Sequence, residues 1–240
     1  MTVRRVHLPP ERIEPGRGRL TPEARHHLAD VLRLGPGAPV EVFDGAGGRY
    51  RGRLEEGLET IALGPREDAR AGAVEIALLF ALAKGEKTDL VVQKATELGA
   101  ARIVPFAAER SVVRLEGARG EDRARRWRRI AEEAARQCGR ADVPAVGEPL
   151  PLGAALAALP AGTVSFAFHP AGAPLWEIDA PAAPGLAAVV GPEGGLTEAE
   201  LRACSLAGAL PASLGPRVLR AETAAIVAVA LLQARFGDLS

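Results

Sequence analysis

Several residue types are scarce in this chain of 240 residues, and each scarcity excludes a class of protein. There are two cysteines, Cys138 and Cys204, which lie far apart and lack metal-ligand spacing, so neither a disulfide framework nor a zinc site is expected. We expect both to serve as small apolar residues. No apolar run approaches the roughly 18 residues needed to cross a bilayer, and the N-terminus lacks the apolar segment of a signal peptide, which favours the cytoplasm.

The chain also lacks a net charge, because 30 basic residues balance 30 acidic ones. Their distribution is uneven: residues 110–140 hold ten arginines and five acids, whereas residues 141–240 hold four arginines and nine acids. A neutral protein of this kind can still present a basic face to a partner. Asparagine is absent and arginine greatly outnumbers lysine, which suits a heat-tolerant source and a GC-rich genome equally well.

Residues 1–70 contain short strand-like runs separated by glycine turns, with one helix between them. In that helix, residues 21–34, Thr21 is placed as the N-cap and Pro22 at the first helical position. The pattern predicts a small β-barrel or sandwich. The polar residues 65–72 predict a linker.

From residue 73 onward, strand-like and helix-like segments alternate. The helix 121–139 carries Trp127, Ala131 and Cys138 on one apolar face, and the helix 221–236 is apolar almost all round. Such alternation predicts an α/β domain with a mainly parallel sheet, whose ligands bind beyond the carboxyl ends of the strands. The strands are expected at residues 74–83, 101–107, 163–169, 185–190 and 208–215.

A glycine-rich turn follows one of these strands in VVGPEGGLTEAEL, residues 189–201. Glycines there permit close approaches that a side chain would forbid, and Thr197 with Glu200 forms the T-x-x-E capping box of the next helix. Phosphate is a poor ligand for this turn, because no Lys-Ser/Thr pair completes a P-loop and Glu193 would face the phosphate oxygens. Taken alone, the turn suits a structural role as well as a ligand site.

A second turn lies in SLGPRVLRAETAA, residues 213–225, between another strand and the final helix. Its polar residues have two readings. Either Glu222 complements the helix dipole and pairs with Arg220, or these side chains line a functional site.

In combination, GPEGGLTEAEL and LGPRVLRAETA resemble the signature of the SPOUT methyltransferases, and within them the ribosomal RNA small subunit methyltransferase E family, which methylates N3 of a uridine in 16S rRNA. Further matches extend the resemblance over nearly the full length: HHLADVLRL, VFDGAGGRY, ALAKGEKTDLVVQKATELGA, ERSVV, RWRRIAEEAARQCGR and FHP.

The resemblance implies a PUA-like β-barrel that binds RNA (residues 1–70) and a SPOUT methyltransferase domain with a deep trefoil knot (residues 73–240). It also implies S-adenosylmethionine (SAM) as the cofactor, no metal, and a homodimer. The cofactor carries a sulfonium and no phosphate, so Glu193 is acceptable beside it. The residues implied to bind it are His169, Gly191, Pro192, Glu193, Gly194, Gly195, Leu214, Gly215, Val218, Leu219 and Thr223.

Methylation at uracil N3 requires loss of the N3 proton, and a guanidinium that stabilises negative charge on O2 or O4 favours this loss. The expected catalytic residues are Arg220, Glu222 and Arg140, with Arg220 the first candidate for the guanidinium and Arg110 a further one. The proton acceptor stays open between Glu222, Glu193 and solvent hydroxide.

The expected RNA partner is 16S rRNA or the assembled small subunit. Charged helix faces are often merely solvated and adjacent histidines are often packed, so the family resemblance carries this expectation. The residues concerned are Arg4, Arg5, His26, His27, Arg33, Arg110, Arg126 and Arg129. Two alternatives stay open: methylation of another atom such as a ribose 2′-oxygen, and a ribosome-assembly factor that binds RNA without catalysis.

Overall fold

The computed structural model describes residues 4–69, 74–83, 85–111 and 118–239 and divides into two compact units. Unit 1 comprises Met1–Gly72 and Glu132–Val143, and unit 2 comprises Ala73–Ala131 and Pro144–Ser240. The end of the predicted linker (70–72) and part of the ERSVV motif (112–113) lie outside the described residues. The assignment of residues 1–70 and 73–240 to an RNA-binding and a catalytic domain stays a prediction.

Unit 1 is built on a mixed sheet, with strand order β1-β4-β5-β6-β3-β2 and β7 beside β5 in the described part of the chain. Only the β1–β4 pair among these is parallel. The strands are β1 (Arg4–His7), β2 (Ile13–Glu14), β3 (Arg17–Arg19), β4 (Pro39–Phe43), β5 (Gly48–Leu54), β6 (Thr60–Leu63) and β7 (Glu67–Asp68).

The helix of unit 1 begins as predicted. Helix α1 (Pro22–His26) starts with Pro22, and the Thr21 hydroxyl accepts a hydrogen bond of 3.1 Å from the Ala24 N–H. A π-helical turn, His27–Val31, continues it, and Leu28 from this turn packs into the core of the sheet with Val42 and Ile61. Burial of these apolar side chains stabilises the folded sheet of unit 1 through the hydrophobic effect.

Unit 2 contains a sheet in which every described strand pair is parallel, as expected. Its order is β10-β9-β8-β13-β12-β14, with β11 beside β9. The strands are β8 (Glu75–Ala81), β9 (Arg102–Ala107), β10 (Ala145–Val146), β11 (Leu150–Pro151), β12 (Val164–Pro174), β13 (Gly185–Val190) and β14 (Leu210–Ser213). The helices are α2 (Lys87–Glu97), α4 (Leu152–Ala157), α5 (Glu198–Leu206), α6 (Ala221–Phe236) and the first part of α3 (Ala118–Cys138), whose residues from Glu132 onward belong to unit 1.

Helices cover both faces of this sheet, which explains why its central strands read as continuous apolar runs. On one face, Leu79 of β8 and Val189 of β13 form a cluster with Leu156 of α4 and Cys204 of α5. On the other face, α6 contacts β8, β13 and α2. None of the helices in the described part of the chain is long and apolar enough to cross a membrane.

Helix α3 corrects one expectation. Trp127 and Ala131 are buried as predicted, but Cys138 is exposed. In the last turn of the helix, Ala135 takes the inward position and packs with Phe43 and Ala141. At this end of α3 the apolar face therefore contains the residue that packs with Phe43, and Cys138 lies outside that face.

Candidate active site

A cavity of about 240 Å³ opens at the carboxyl ends of β12, β13 and β14 in unit 2. This is the position at which parallel α/β sheets bind ligands. Ten of the residues singled out in the sequence line it: His169, Gly191, Pro192, Glu193, Gly194, Gly195, Leu214, Gly215, Val218 and Leu219. Thr223 is not among the lining residues and is exposed on α6.

The glycine turn, residues 191–195, forms one wall of the cavity. A Cβ added to Gly191 would lie 2.9 Å from the backbone nitrogen of Leu196, so a side chain there would displace the turn. The Gly195 N–H donates to the Pro192 carbonyl at 2.8 Å, and Gly195 has a φ of +70°, which favours glycine. Helix α5 then begins with the predicted capping box of Thr197 and Glu200.

The wall next to β12 contains an irregularity. Pairing between β12 and β14 shifts between Phe168 and Ala173, and His169 lies within this bulge. The Ala171 N–H donates to His169 Nδ1 at 3.2 Å, so a neutral His169 ring carries its proton on Nε2. Bulges of this kind aim a side chain away from the regular pleat, and here His169 lines the cavity.

The C-terminal loop, residues 214–220, forms the third wall. The Ser213 hydroxyl accepts a hydrogen bond of 3.1 Å from the Gly215 N–H, which shapes the start of this loop. Val218 is 85% exposed at the cavity, and Leu219 is half-buried beside it. The loop therefore offers apolar surface to a ligand.

One cation bridges two carboxylates at the edge of the site. Lys87 Nζ, in the first turn of α2, donates to Glu193 Oε1 at 2.7 Å and lies 3.3 Å from Glu222 Oε2. Lys87, rather than Arg220, is thus the cation beside Glu222. The hydrogen bond from Lys87 lowers the pKa of Glu193, with smaller contributions from the backbone N–H of Glu193 and the charge of Arg220. The two carboxylates raise the pKa of Lys87.

Lys87 was not among the residues that we selected from the sequence, although a signal was present. It lies in the motif ALAKGEKTDLVVQKATELGA, at the start of a helix, where a positive charge opposes the helix dipole. A lysine in that position points to an acidic partner elsewhere in the fold. Arg217 also lines the cavity and was not assigned to the cofactor.

The predicted catalytic arginines occupy different surroundings. Arg220 is the exposed N-cap residue of α6, and its charge reaches Glu193. Arg110 donates to the Gly194 carbonyl at 2.7 Å. Arg140 belongs to unit 1, where its guanidinium binds Asp142 with contacts of 3.2 and 2.7 Å and its side chain is 13% exposed. The structure does not place Arg140 in the unit that contains the cavity.

The candidate RNA residues divide in the same way. In unit 1, Arg5 binds Glu41 at 2.6 Å, and His26 binds Asp30 at 2.8 Å. The pKa of His27 is lowered by burial and then by the positive charges of Arg136, Arg4 and His26. The remaining candidates are exposed: Arg4 and Arg33 in unit 1, and Arg126, which pairs with Asp89, and Arg129 in unit 2.

Comparison with known protein families shows to which family the chain belongs. A model described as RNA methyltransferase domain matches residues 70–233, and one described as RNA methyltransferase PUA domain matches residues 20–61. Ribosomal RNA small subunit methyltransferase E from Mycobacterium bovis is 36% identical over 212 residues, which cover 85% of this chain and 80% of that protein. This chain belongs to the ribosomal RNA small subunit methyltransferase E family. The member from Bacillus subtilis is 30% identical over 225 residues, 89% of this chain and 88% of its own.

Two solved methyltransferase structures are similar to this chain along its whole length. A methyltransferase E from Neisseria gonorrhoeae bound to SAM superposes with a TM-score of 0.89 and 30% identity, covering 100% of both chains. A structure described as a putative methyltransferase from Legionella pneumophila in complex with SAM has a TM-score of 0.89, 34% identity and the same full coverage. The mixed sheet of unit 1 and the parallel sheet of unit 2 therefore form a PUA-like and a methyltransferase region.

Proposed function

We propose that this protein uses SAM to methylate N3 of one uridine in the 16S rRNA of the small ribosomal subunit. The observation that carries the proposal is the cavity of unit 2, which gathers the predicted loops at three strand ends in a chain whose full-length relatives were crystallised with SAM. Membership in the methyltransferase E family supports rRNA as the substrate.

The residues around the cavity fit this cofactor. The missing side chain at Gly191 lets the glycine turn close on Leu196, and Leu214, Val218 and Leu219 offer an apolar wall for an adenine ring. Glu193 places a carboxylate at the cavity, which suits a cationic sulfonium better than an anionic phosphate. When bound, SAM supplies an electrophilic methyl group on a sulfonium.

The protein's own task is then to align the two reactants and to favour loss of the N3 proton. We assign to Arg220 the stabilisation of negative charge on a uracil carbonyl oxygen, because it is exposed next to Glu193 and the cavity-lining Leu219. Glu193 is a weak base, since Lys87 lowers its pKa. Glu222, or hydroxide from solvent, remains to accept the proton, and Arg140 stays a further proposed catalytic residue.

We further assign RNA binding to the positive residues of unit 1 around His27 and to the exposed arginines of α3. The charges of Arg4 and Arg136 act on His27 together, which supports a basic cluster suited to phosphates. Base pairing hides N3 in a duplex, so the target uridine should be unpaired or flipped out. Ribosomal RNA as substrate implies the cytoplasm as the place of action.

The proposal includes a trefoil knot and a homodimer, as the family resemblance implies. The chain order supports the knot: β13 lies between β8 and β12, β14 lies on the outer side of β12, and α6 then returns to β8 and β13.

Mass spectrometry of 16S rRNA tests the function. Cells that lack the gene should lose one methyl group at a single uracil, and the wild-type gene should restore it. A lost ribose methyl group would instead indicate 2′-oxygen chemistry. No lost methyl group, together with unchanged nucleoside composition, would contradict the enzymatic proposal and favour an assembly factor.

A further inference from the structure

Lys87 connects two segments that belong to different walls of the cavity. Its ammonium donates to Glu193 in the glycine turn at 2.7 Å and lies 3.3 Å from the carboxylate of Glu222 in the first turn of α6. Glu193 and Ala221, the neighbour of Glu222, both line the cavity. One side chain of α2 therefore touches two elements on which the shape of the cavity depends.

The charges explain why this contact matters. Two carboxylate oxygens that both lie within 3.3 Å of a single nitrogen repel each other when that nitrogen carries no charge. Glu222 is the more buried of the two, with 12% of its side chain exposed against 50% for Glu193. Solvent screens the repulsion poorly at such a buried carboxylate. Without the ammonium, the glycine turn, which is the more exposed partner, is the element that would move away.

We propose that Lys87 is a positioning residue whose ammonium holds the glycine turn to the first turn of α6 and so keeps the cavity at the width that the adenosyl group needs. This inference rests on the proposed function, because it names SAM as the ligand. The raised pKa of Lys87 keeps its ammonium charged at neutral pH, so it does not act as the base that accepts the uracil proton.

The test compares two lysines of the same helix. Lys87→Met removes the charge and keeps the aliphatic chain, whereas Lys87→Arg keeps the charge. Lys94→Met is the matched control: Lys94 is 39% exposed against 35% for Lys87, and it pairs with Glu97 at 2.8 Å within α2. SAM affinity is measured by calorimetry, and folding by thermal unfolding.

We expect Lys87→Met to weaken SAM binding by about three- to fivefold, the upper part of the range for a partly exposed ion pair, and Lys87→Arg and Lys94→Met to stay within about twofold of the wild type. Unchanged affinity in Lys87→Met, or equal weakening in Lys94→Met, overturns the inference. SAM binding by the wild type is measured before that of any variant. If the wild type binds no SAM, the proposed function and this inference are both overturned.

A double-mutant cycle with Glu193→Gln separates positioning from general destabilisation. If the ion pair holds the turn, Lys87→Met combined with Glu193→Gln should bind SAM no more weakly than the weaker single variant. If the fold-loss of SAM affinity in the double variant equals the product of the two single fold-losses, the inference is overturned. Should Lys87→Met fail to fold, Lys87→Gln, which also removes the charge but keeps a polar side chain, serves as the second variant: it should weaken SAM binding while its unfolding temperature stays close to that of Lys94→Met, and unchanged binding overturns the inference.

Discussion

The guanidinium of Arg110 donates a hydrogen bond of 2.7 Å to the backbone carbonyl of Gly194, in the turn that borders the cavity. One residue earlier, the Glu109 N–H donates to the buried carboxylate of Glu200 at 2.9 Å. The segment after β9 is thus fixed to the glycine turn and to the capping box of α5. Arg110, which the sequence suggested for RNA binding, also holds the turn that borders the proposed cofactor site.

Arg110→Ala should weaken SAM binding by about three- to tenfold, because a charged hydrogen bond to the turn is lost. Arg202→Ala is the control: Arg202 is exposed and pairs with Glu198 inside α5 at 3.5 Å, away from the lining residues. Calorimetry with SAM measures both. Equal affinities for the two variants would show that the contact with Gly194 does not shape the site.

Gly191→Ala should reduce both stability and cofactor binding. Its Cβ would approach the Leu196 nitrogen to 2.9 Å, and such overpacking costs about 1–3 kcal/mol of unfolding free energy. Gly153→Ala in α4 is the control, since a Cβ there meets nothing within 4 Å. That variant should gain about 0.4–1 kcal/mol. Urea unfolding measures both, and a neutral Gly191→Ala would contradict the described turn.

Arg220→Ala should reduce turnover by about 10²–10³-fold, as expected for loss of a group that stabilises developing charge. SAM affinity should stay within about tenfold of the wild-type value, because Arg220 is proposed to contact the uracil and not the cofactor. Single-turnover methylation of 16S rRNA and calorimetry separate the two effects. Equal loss of turnover and of affinity would place Arg220 in cofactor binding instead.

The two cysteines should differ in reactivity. Burial, with a smaller effect of Glu200, raises the pKa of Cys204 to about 11, so roughly one molecule in a thousand carries the thiolate at pH 8. Cys138 is exposed. A thiol reagent at pH 8 should therefore modify one cysteine quickly, and peptide mapping should identify Cys138. Rapid modification of Cys204 would contradict its burial on the inner face of α5.

Local signals predicted much of the fold. Thr21, Thr197 and Glu200 cap helices as their sequence contexts indicate, and the apolar runs became buried parallel strands. The two turns predicted the cavity because parallel strands end at the same edge of a sheet. The family resemblance then supplied the cofactor, which spacing alone did not indicate.

The sequence alone did not predict contacts between segments that lie far apart in the chain. Lys87 meets Glu193, 106 residues away, and no local pattern states which carboxylate a lysine will reach. In the last turn of α3, Ala135 and not Cys138 packs with Phe43 of β4, and Cys138 is exposed. Neither periodicity nor capping describes such partners, because they are set by tertiary packing.

A crystal structure of this protein grown with SAM would show where the cofactor binds. We predict the adenosyl group between the glycine turn and the C-terminal loop, with its ring against Leu219 and its sulfonium methyl open to solvent beside Arg220. A cofactor bound elsewhere, or a cavity that stays empty at saturating SAM, would contradict the proposed site.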